Sequence, residues 1–519
     1  MFLRNMKFVF YKKIANYPDF FIILFLLFLT LFVRFPFWFR AVMDWDESTY
    51  ILMAQSMLDG KLLYRDLWDI NPPLSHASFA LFIGLFGKSI VAVRACGAFC
   101  VLLSAVLTYY MGRKIYGRLG AVLAAATFVL AASLLHGGQT TMTEHIALVP
   151  LLVGVLILLR RSFPLHLMLA LGALVSVAAL VRFNLAFLAV VIGVIVLLHP
   201  SHENLAARVK AGAAYAVGGL VVVALTAFPY LMAGEGAVWG ASVVVAPLAH
   251  AGITPPFDAF QRLIGAYFRP MGPTFWFSSL FLVLSLSSIG WAIYKMITER
   301  SEHRLQIAIV IVVTVGIAVS LISGGVYSHY LLLLAPFLSL FAAVAVIKCL
   351  FSRAFVPATA VFLSVVAVVL LPTFQEYRFL ATRAAAGEAL IHGPAYEIAD
   401  FVESLGLADY TIFLMSDHIV YWLLDKRPPT RIAHPANMVD PYMLGVVSGK
   451  GATTKTEIAA IFDRSPTIVV KREREWYMRD FPDDRHYLDQ RLESYDLVRV
   501  IENRRIYLLK DTLPDGVEN

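Results

Sequence analysis

MDWDESTYILMAQSMLDGKLLYRDLWDINPPLSHASF, residues 43–79, is a polar island in an apolar chain. It follows an apolar run at about residues 20–39 and carries Asp44, Asp46, Glu47, Asp59, Asp66 and Asp69, with Arg65 among them. Carboxylates grouped at a membrane interface need a cation, a metal or a proton-transfer task. A second reading is local: Asp44-x-x-Glu47 matches a capping box for a helix over Ser48–Leu58. Capping uses one N-cap side chain, so it does not account for Asp46.

Working outward, the rest of the chain explains why this island is informative. Of 519 residues, 59% are hydrophobic and 15% charged, and mean hydropathy is +0.73. Soluble domains are typically about 45–50% apolar and about 25% charged, so both departures point to lipid as solvent. The net charge is +7. Its basic residues fall in short clusters between apolar runs rather than in one patch, which excludes a nucleic-acid partner and matches the positive-inside pattern. Cys96, Cys100 and Cys349 lie in or beside apolar runs, without metal-ligand spacing or a disulfide framework. The run after MFLRNMKFVFYKK is too long for a signal-peptide core and reads as a retained first span.

Runs of about 20 apolar residues cross a bilayer. They occur near 20–39, 89–112, 119–137, 144–160, 165–181, 184–199, 210–232, 274–294, 305–323, 328–350 and 354–372. The expected fold is thus a polytopic α-helical membrane protein of about 11 spans, in a range of about 11–13. Pro72–Gly87 is apolar but short, opens Pro-Pro and contains Ser75, His76 and Ser78, so it reads as an interfacial helix. With that choice Lys12–Lys13, Arg113–Lys114–Arg118, Arg160–Arg161, Arg208–Lys210, Lys295–Arg300–Arg304 and Lys348–Arg353 share one side. The N-terminus is then cytoplasmic and the C-terminus outside.

Composition changes after Pro372. Residues 1–372 read as the membrane domain, with outer loops at 40–88 and 233–273, and 373–519 as an extracytoplasmic α/β domain. In the latter, Gly393–Gly406, Ile419–Leu424 and Lys455–Phe462 read as helices. Thr411–Ser416 and Thr467–Lys471 read as strands, and Leu497–Glu502 with Arg505–Lys510 as a terminal hairpin. No phosphate-binding glycine loop or nucleophile elbow is present.

Other polar groups converge on the same outer face. Glu144 and His145 open the fourth span, where Thr141-x-x-Glu144 also fits a capping box. Arg182 lies between two short apolar runs, suited to snorkelling or to a lipid phosphate. His329 and Tyr330 open the tenth span, as interfacial or functional residues. The loop 233–273 adds His250, Asp258, Arg262, Tyr267 and Arg269, most of them read as solvated surface.

Trp45-Asp46-Glu47-Ser48-Thr49-Tyr50, Leu58-Asp59-Gly60, Leu63-Tyr64-Arg65-Asp66 and Asn71-Pro72-Pro73-Leu74 together resemble the first periplasmic loop of bacterial GT-C glycosyltransferases. The branch is the polyprenyl-phosphate-sugar-dependent protein O-mannosyltransferase and aminoarabinose-transferase superfamily. The resemblance continues at Gly112-Arg113-Lys114-Ile115-Tyr116-Gly117, Thr143-Glu144 and His329-Tyr330-Leu331-Leu332 with Pro336. It spans roughly residues 20–350. Asp417-His418-Ile419-Val420-Tyr421 and Arg427-Pro428-Pro429 resemble the tail of uncharacterised members.

The resemblance implies an inverting transferase of the bacterial cytoplasmic membrane, acting at its outer face. The donor would be a sugar on polyprenyl phosphate; the acceptor would be lipid A or lipopolysaccharide, another glycan, a lipid or a protein. It makes Asp46 the general base. Glu47 and Glu144 would orient the acceptor or hold a divalent cation, and Arg65 and Arg182 would bind the donor phosphate. Tyr50, Asp69, Asn71, His145, His329 and Tyr330 would contact substrate. No cofactor is implied with certainty; a divalent cation stays open, because Asp, Glu and His at these spacings fit a metal site loosely. Two departures stand out. Aminoarabinose transferases usually carry Glu-Lys before the Pro-Pro, where this chain has Ile70-Asn71, and the fourth span often opens Thr-Asp, here Thr143-Glu144. The expected site lies between the first outer loop and the outer ends of the fourth, sixth and tenth spans. Rival readings are a transporter or lipid flippase, and a membrane anchor whose outer domain binds a partner.

Overall fold

The computed structural model describes residues 18–251, 255–268, 274–299, 302–322, 327–351, 355–510 and 512. Lys12, Lys13, Arg300 and Arg353 of the expected charge pattern lie outside the described residues, as do Arg269 of the segment 233–273 and Ser323–Val326 before the tenth span. The chain forms two compact units. The first comprises Met1–Trp38, Val93–Phe228 and Ala249–Gly387; the second comprises Phe39–Ala92, Pro229–Leu248 and Glu388–Asn519.

The first unit is helical. Among the described residues, Asp19–Phe39, Ile90–Leu134, Leu205–Met232, Phe275–Thr298 and Arg304–Ile322 are long and apolar enough to cross a membrane. Thr143–Leu158, Leu165–Val181, Leu185–Leu198 and Ala335–Cys349 are shorter apolar helices. Phe355–Ala385 is a further helix of this unit and continues through Pro372, where composition suggests a boundary. Its extension is anchored by Tyr377, which donates to the Phe32 carbonyl at 3.1 Å and stacks on the Phe32 ring. Leu220, Leu225 and Phe228 are exposed along Leu205–Met232, as expected where lipid is the solvent.

Three glycines explain how the apolar runs become separate, packed helices. Gly117 has φ 74° and breaks the stretch Ile90–Leu134 in two, a conformation glycine adopts without a Cβ penalty. Elsewhere, a methyl on Gly172 would strike the Tyr215 carbonyl, and one on Gly218 the Leu169 carbonyl. Helices Leu165–Val181 and Leu205–Met232 therefore meet backbone to backbone, the close approach that small residues permit in membranes.

Two buried arginines secure the chain reversals of this unit. Arg34 donates to the carbonyls of Ala132, Gly138 and Thr140, and so satisfies acceptors left over where Ile90–Leu134 ends. Arg94 donates to the Phe37 carbonyl at 2.8 Å.

The second unit joins the loop after the first long helix to the C-terminal region. Its sheet has the order β1-β2-β4-β3, with β1 Ile412–Leu414, β2 Ile468–Arg472, β3 Tyr495–Ile501 and β4 Arg504–Leu509. β1 and β2 are parallel, with Phe413 opposite Val469; β4 is antiparallel to both β2 and β3. The expected helices form as Pro394–Ser404, Val420–Leu423 and Thr454–Phe462. Pro441–Val447 and Pro482–Arg491 were not anticipated. The second buries only Leu488, so it carries almost no apolar periodicity to read.

Backbone hydrogen bonds tie the loop to this sheet-containing region. Trp68 donates to the Arg431 carbonyl at 2.6 Å, Ala433 to Trp68 at 3.0 Å, and Ala41 to His392 at 2.7 Å. The Trp68 indole N–H reaches Ser242 Oγ at 3.1 Å. The segment 233–273, read from sequence as a loop, is largely helical: Gly236–Gly240, a π-helical turn Ala241–Val245, Ala246–Ala251 and Pro256–Phe268. Gly234, Gly236 and Pro255–Pro256 favour the loop reading, although Phe257, Phe260, Ile264 and Tyr267 recur at helical spacing.

Candidate functional site

In the first unit, four of the expected residues meet at helix ends. Leu165–Val181 stops at Arg182, whose backbone is extended, with φ −139° and ψ 105°. The next helix begins at Leu185. This break holds the Arg182 side chain, about 5% exposed, against Glu144, which is wholly buried. Arg182 Nε lies 3.0 Å from Glu144 Oε1, and Nη1 lies 3.4 Å from Thr143 Oγ1. Thr143 Oγ1 donates to Glu144 Oε2 at 3.3 Å.

His329 and Tyr330 arrive on a 3₁₀ turn, Ser328–Leu333. His329 Nε2 is 3.8 Å from Glu144 Oε1 and 3.5 Å from Arg182 Nη2. The Arg182 guanidinium stands 4.2 Å from the Tyr330 ring centre. A buried charge is costly unless paired. Here one carboxylate and one π face fix a cation whose planar fork suits a phosphate.

His145 does different work. Its Nδ1 accepts from the Met142 N–H at 3.3 Å, and its Nε2 faces the Ala132 carbonyl at 3.2 Å. The capping pair of helix Thr143–Leu158 is therefore Met142 with His145. This corrects the expected Thr141–Glu144 box, since Thr141 donates to the Val93 carbonyl instead.

In the second unit, Asp44 caps helix Trp45–Leu58 by accepting from the Asp46 N–H at 3.0 Å. The helix thus starts three residues before the expected Ser48. The Asp46 carboxylate, 29% exposed, receives the Tyr50 hydroxyl at 3.5 Å and lies 3.6 Å from His434 Nε2. His434 Nδ1 accepts from the Ala436 N–H at 3.2 Å. That bond makes Nδ1 the unprotonated nitrogen and leaves the proton on Nε2, facing Asp46.

Trp45, beside Asp46, is ringed by His418, His434, Trp476 and Tyr477, with centroids 5.9–6.0 Å away. The Arg472 guanidinium lies 5.2 Å from its ring. His418 Nε2 bonds Thr49 Oγ1 at 2.9 Å, and burial lowers its pKa well below the usual histidine value, so it stays neutral. None of His418, His434 or Trp476 had been singled out as a site residue. They lie over 350 positions from Asp46 in the chain, and only the fold makes them neighbours.

The remaining expected residues brace the loop. Glu47 is buried and lines a small cavity with Ser48, Ile90, Tyr396 and Ile419. Asp69, also buried, accepts from the Asn71 backbone N–H at 3.2 Å and side-chain amide at 2.7 Å. His76 stands 3.7 Å from it. The Tyr64 hydroxyl donates to the Asn71 carbonyl at 2.7 Å. This arrangement fixes the start of helix Pro73–Phe86. Arg65 forms a two-pronged pair with its neighbour Asp66, at 3.0 Å for both bonds, which holds the Asp66 carboxyl below its usual pKa. Among the described residues, no group of three or more His, Cys, Asp or Glu is placed to hold a metal ion.

A family model for dolichyl-phosphate-mannose-protein mannosyltransferase matches residues 71–231. ArnT from Cupriavidus metallidurans in its apo state aligns with a TM-score of 0.60 at 14% identity, covering 94% of this chain and 97% of that one. The chain has an ArnT-like GT-C fold. The same ArnT bound to undecaprenyl phosphate aligns at 0.57, with 14% identity and coverage of 95% and 97%. The Archaeoglobus fulgidus oligosaccharyltransferase tethered to an acceptor peptide aligns at 0.50, with 11% identity and coverage of 93% and 72%. No curated protein sequence matches the chain. The family match covers Asn71 to Leu231 and so includes Glu144 and Arg182.

Proposed function

We propose that the protein is an integral-membrane inverting glycosyltransferase. It moves one sugar from a polyprenyl-phosphate donor to an envelope acceptor (lipid A or lipopolysaccharide, another glycan, a lipid or a protein) at the outer face of the bacterial cytoplasmic membrane. The observation that carries this reading is the buried Arg182, held by Glu144 and the Tyr330 ring. The ArnT-like GT-C fold supports it.

In the proposed reaction, the acceptor hydroxyl oxygen attacks the anomeric carbon. The bond from that carbon to the phosphate oxygen breaks, and its electron pair leaves on the phosphate. The hydroxyl proton passes to Asp46 as general base. Arg182 offsets the charge gained by the departing phosphate. Glu144 and His329 orient Arg182, and Tyr50 and His434 orient Asp46. Arg65, already paired with Asp66, is the weaker of the two expected phosphate ligands.

Transfer of radiolabelled sugar from polyprenyl phosphate in detergent tests the assignment. Asp46→Asn loses about 100-fold or more in kcat, the usual scale for a general base. Arg182→Ala raises the donor KM. Wild-type activity in Asp46→Asn removes Asp46 from the base role, and an unchanged donor KM in Arg182→Ala removes the phosphate role. Running both with a chelator or added Mg²⁺ tests the divalent-cation role open to Glu47 and Glu144.

A further inference from the structure

Trp476 is 60% exposed, although large aromatics gain most by burial. It stands on a 3₁₀ turn, Trp476–Met478, just after β2. Its inner side leans on Trp45 at 5.9 Å with the planes 49° apart, and on Tyr477 edge-on at 5.7 Å. Tyr477 is itself buried and pinned by its hydroxyl to the Met415 carbonyl at 3.0 Å. The exposed ring is therefore held by a rigid base.

Its surroundings are not those of a membrane anchor. An interfacial anchor presents further apolar side chains to the lipid, whereas Tyr477 and Met478, the apolar neighbours of Trp476 in sequence, are buried. Trp476 sits in KREREWYMRD, residues 471–480, where Glu473, Arg474, Arg479 and Asp480 are all exposed. A flat apolar face rimmed by donors and acceptors of both signs suits a ligand with the same two-part character. A pyranose ring has it: one face presents C–H groups, whose partial positive charge is attracted to the negative face of an aromatic ring, and the edge presents hydroxyls. The chain Trp476, Trp45, His434 leads to Asp46 through ring contacts of 5.9 Å and a polar contact of 3.6 Å.

We infer that Trp476 is a stacking platform for a sugar ring of a glycan acceptor, with the charged rim of residues 471–480 binding its hydroxyls. This rests on the transferase reading of Asp46, and it narrows the acceptor from lipid, protein or glycan to one presenting a saccharide.

Saturation-transfer NMR on the full chain, in a detergent without a sugar headgroup, tests it with methyl α-mannotrioside and with core oligosaccharide released from lipopolysaccharide. Transfer to the ring C–H protons of at least one saccharide is expected in wild type. Trp476→Ala weakens that affinity about 5- to 10-fold, the scale of one aromatic contact, while Trp476→Phe retains most of it. In the transfer assay, Trp476→Ala raises the acceptor KM and leaves the donor KM unchanged. No saccharide signal in wild type, or equal affinity in Trp476→Ala, overturns the platform. Quenching of Trp476 by brominated lipid in vesicles, without a saccharide signal, also overturns it, in favour of a membrane anchor. The two readings fail separately. Transfer activity that ignores Trp476 removes the platform alone, and Trp476-dependent saccharide binding without transfer removes the transferase alone.

Discussion

At the scale of single residues, the proposed base and the proposed phosphate ligand are each controlled by neighbours. His434 has one ring nitrogen bound to a backbone N–H and the other directed at Asp46. In the proposed reaction this 3.6 Å contact closes to a hydrogen bond, and one to a charged group is worth about 1.5–3 kcal/mol. His434→Ala should therefore lower kcat by about 10- to 100-fold with an unchanged donor KM, and His434→Gln, which keeps an N–H donor, should restore part of it. Equal rates in the Ala and Gln variants would leave His434 a packing residue. Glu475 is a separate case. It accepts from the Arg472 N–H through Oε1, its Oε2 is buried without a hydrogen-bond partner, and burial lifts its pKa to about 7. The folded state thus binds a proton that the unfolded chain releases from about pH 4.5 upward. Its stabilising contribution is complete below that pH and is lost as pH rises through about 7. Thermal unfolding followed by near-UV circular dichroism should show wild type losing stability across that window. Glu475→Gln should lack this component; the same slope in both proteins would refute the assignment.

Elements come next, and here glycine decides the outcome. Apolar runs say that helices exist, but not how closely they approach. Gly172 and Gly218 allow Leu165–Val181 and Leu205–Met232 to touch through their backbones. Leu165–Val181 also ends at Arg182, so a shift of that helix displaces the guanidinium. Gly172→Leu should destabilise the fold by more than the about 1–3 kcal/mol of ordinary overpacking, because a backbone carbonyl cannot move aside. Size-exclusion recovery after mild heating checks it, with Gly290→Leu, which meets open space, as the control. The sequence carried the right alphabet at this scale. Nearly every apolar run is a helix, and the alternating segments of the C-terminal region are strands. It misled where composition and conformation part: at Pro372, inside a continuous helix, and in 233–273, which is helical rather than loop.

For the whole molecule, the grouping of segments matters most. The first loop, the short stretch Pro229–Leu248 and the region from Glu388 onward form one compact unit. Asp46 depends on His434, and Trp68 on Arg431 and Ser242. Truncation after Gly387 should therefore abolish sugar transfer and render residues 40–92 sensitive to protease in detergent. A truncated chain whose loop stays resistant would show that the loop holds its shape alone.

The sequence by itself determined the solvent, the helices, the α/β character of the tail and the carboxylate-rich loop, because apolar periodicity and composition are local quantities. The tertiary structure alone decided what each charged side chain does. Glu144 was equally a cap or a partner until His145 was seen to take the cap. Arg65 and Arg182 were equivalent cations until one was found paired with its own neighbour and the other buried against a carboxylate and an aromatic ring. A side chain's charge is written in the sequence, but its partners are set by burial and by contacts between residues far apart in the chain.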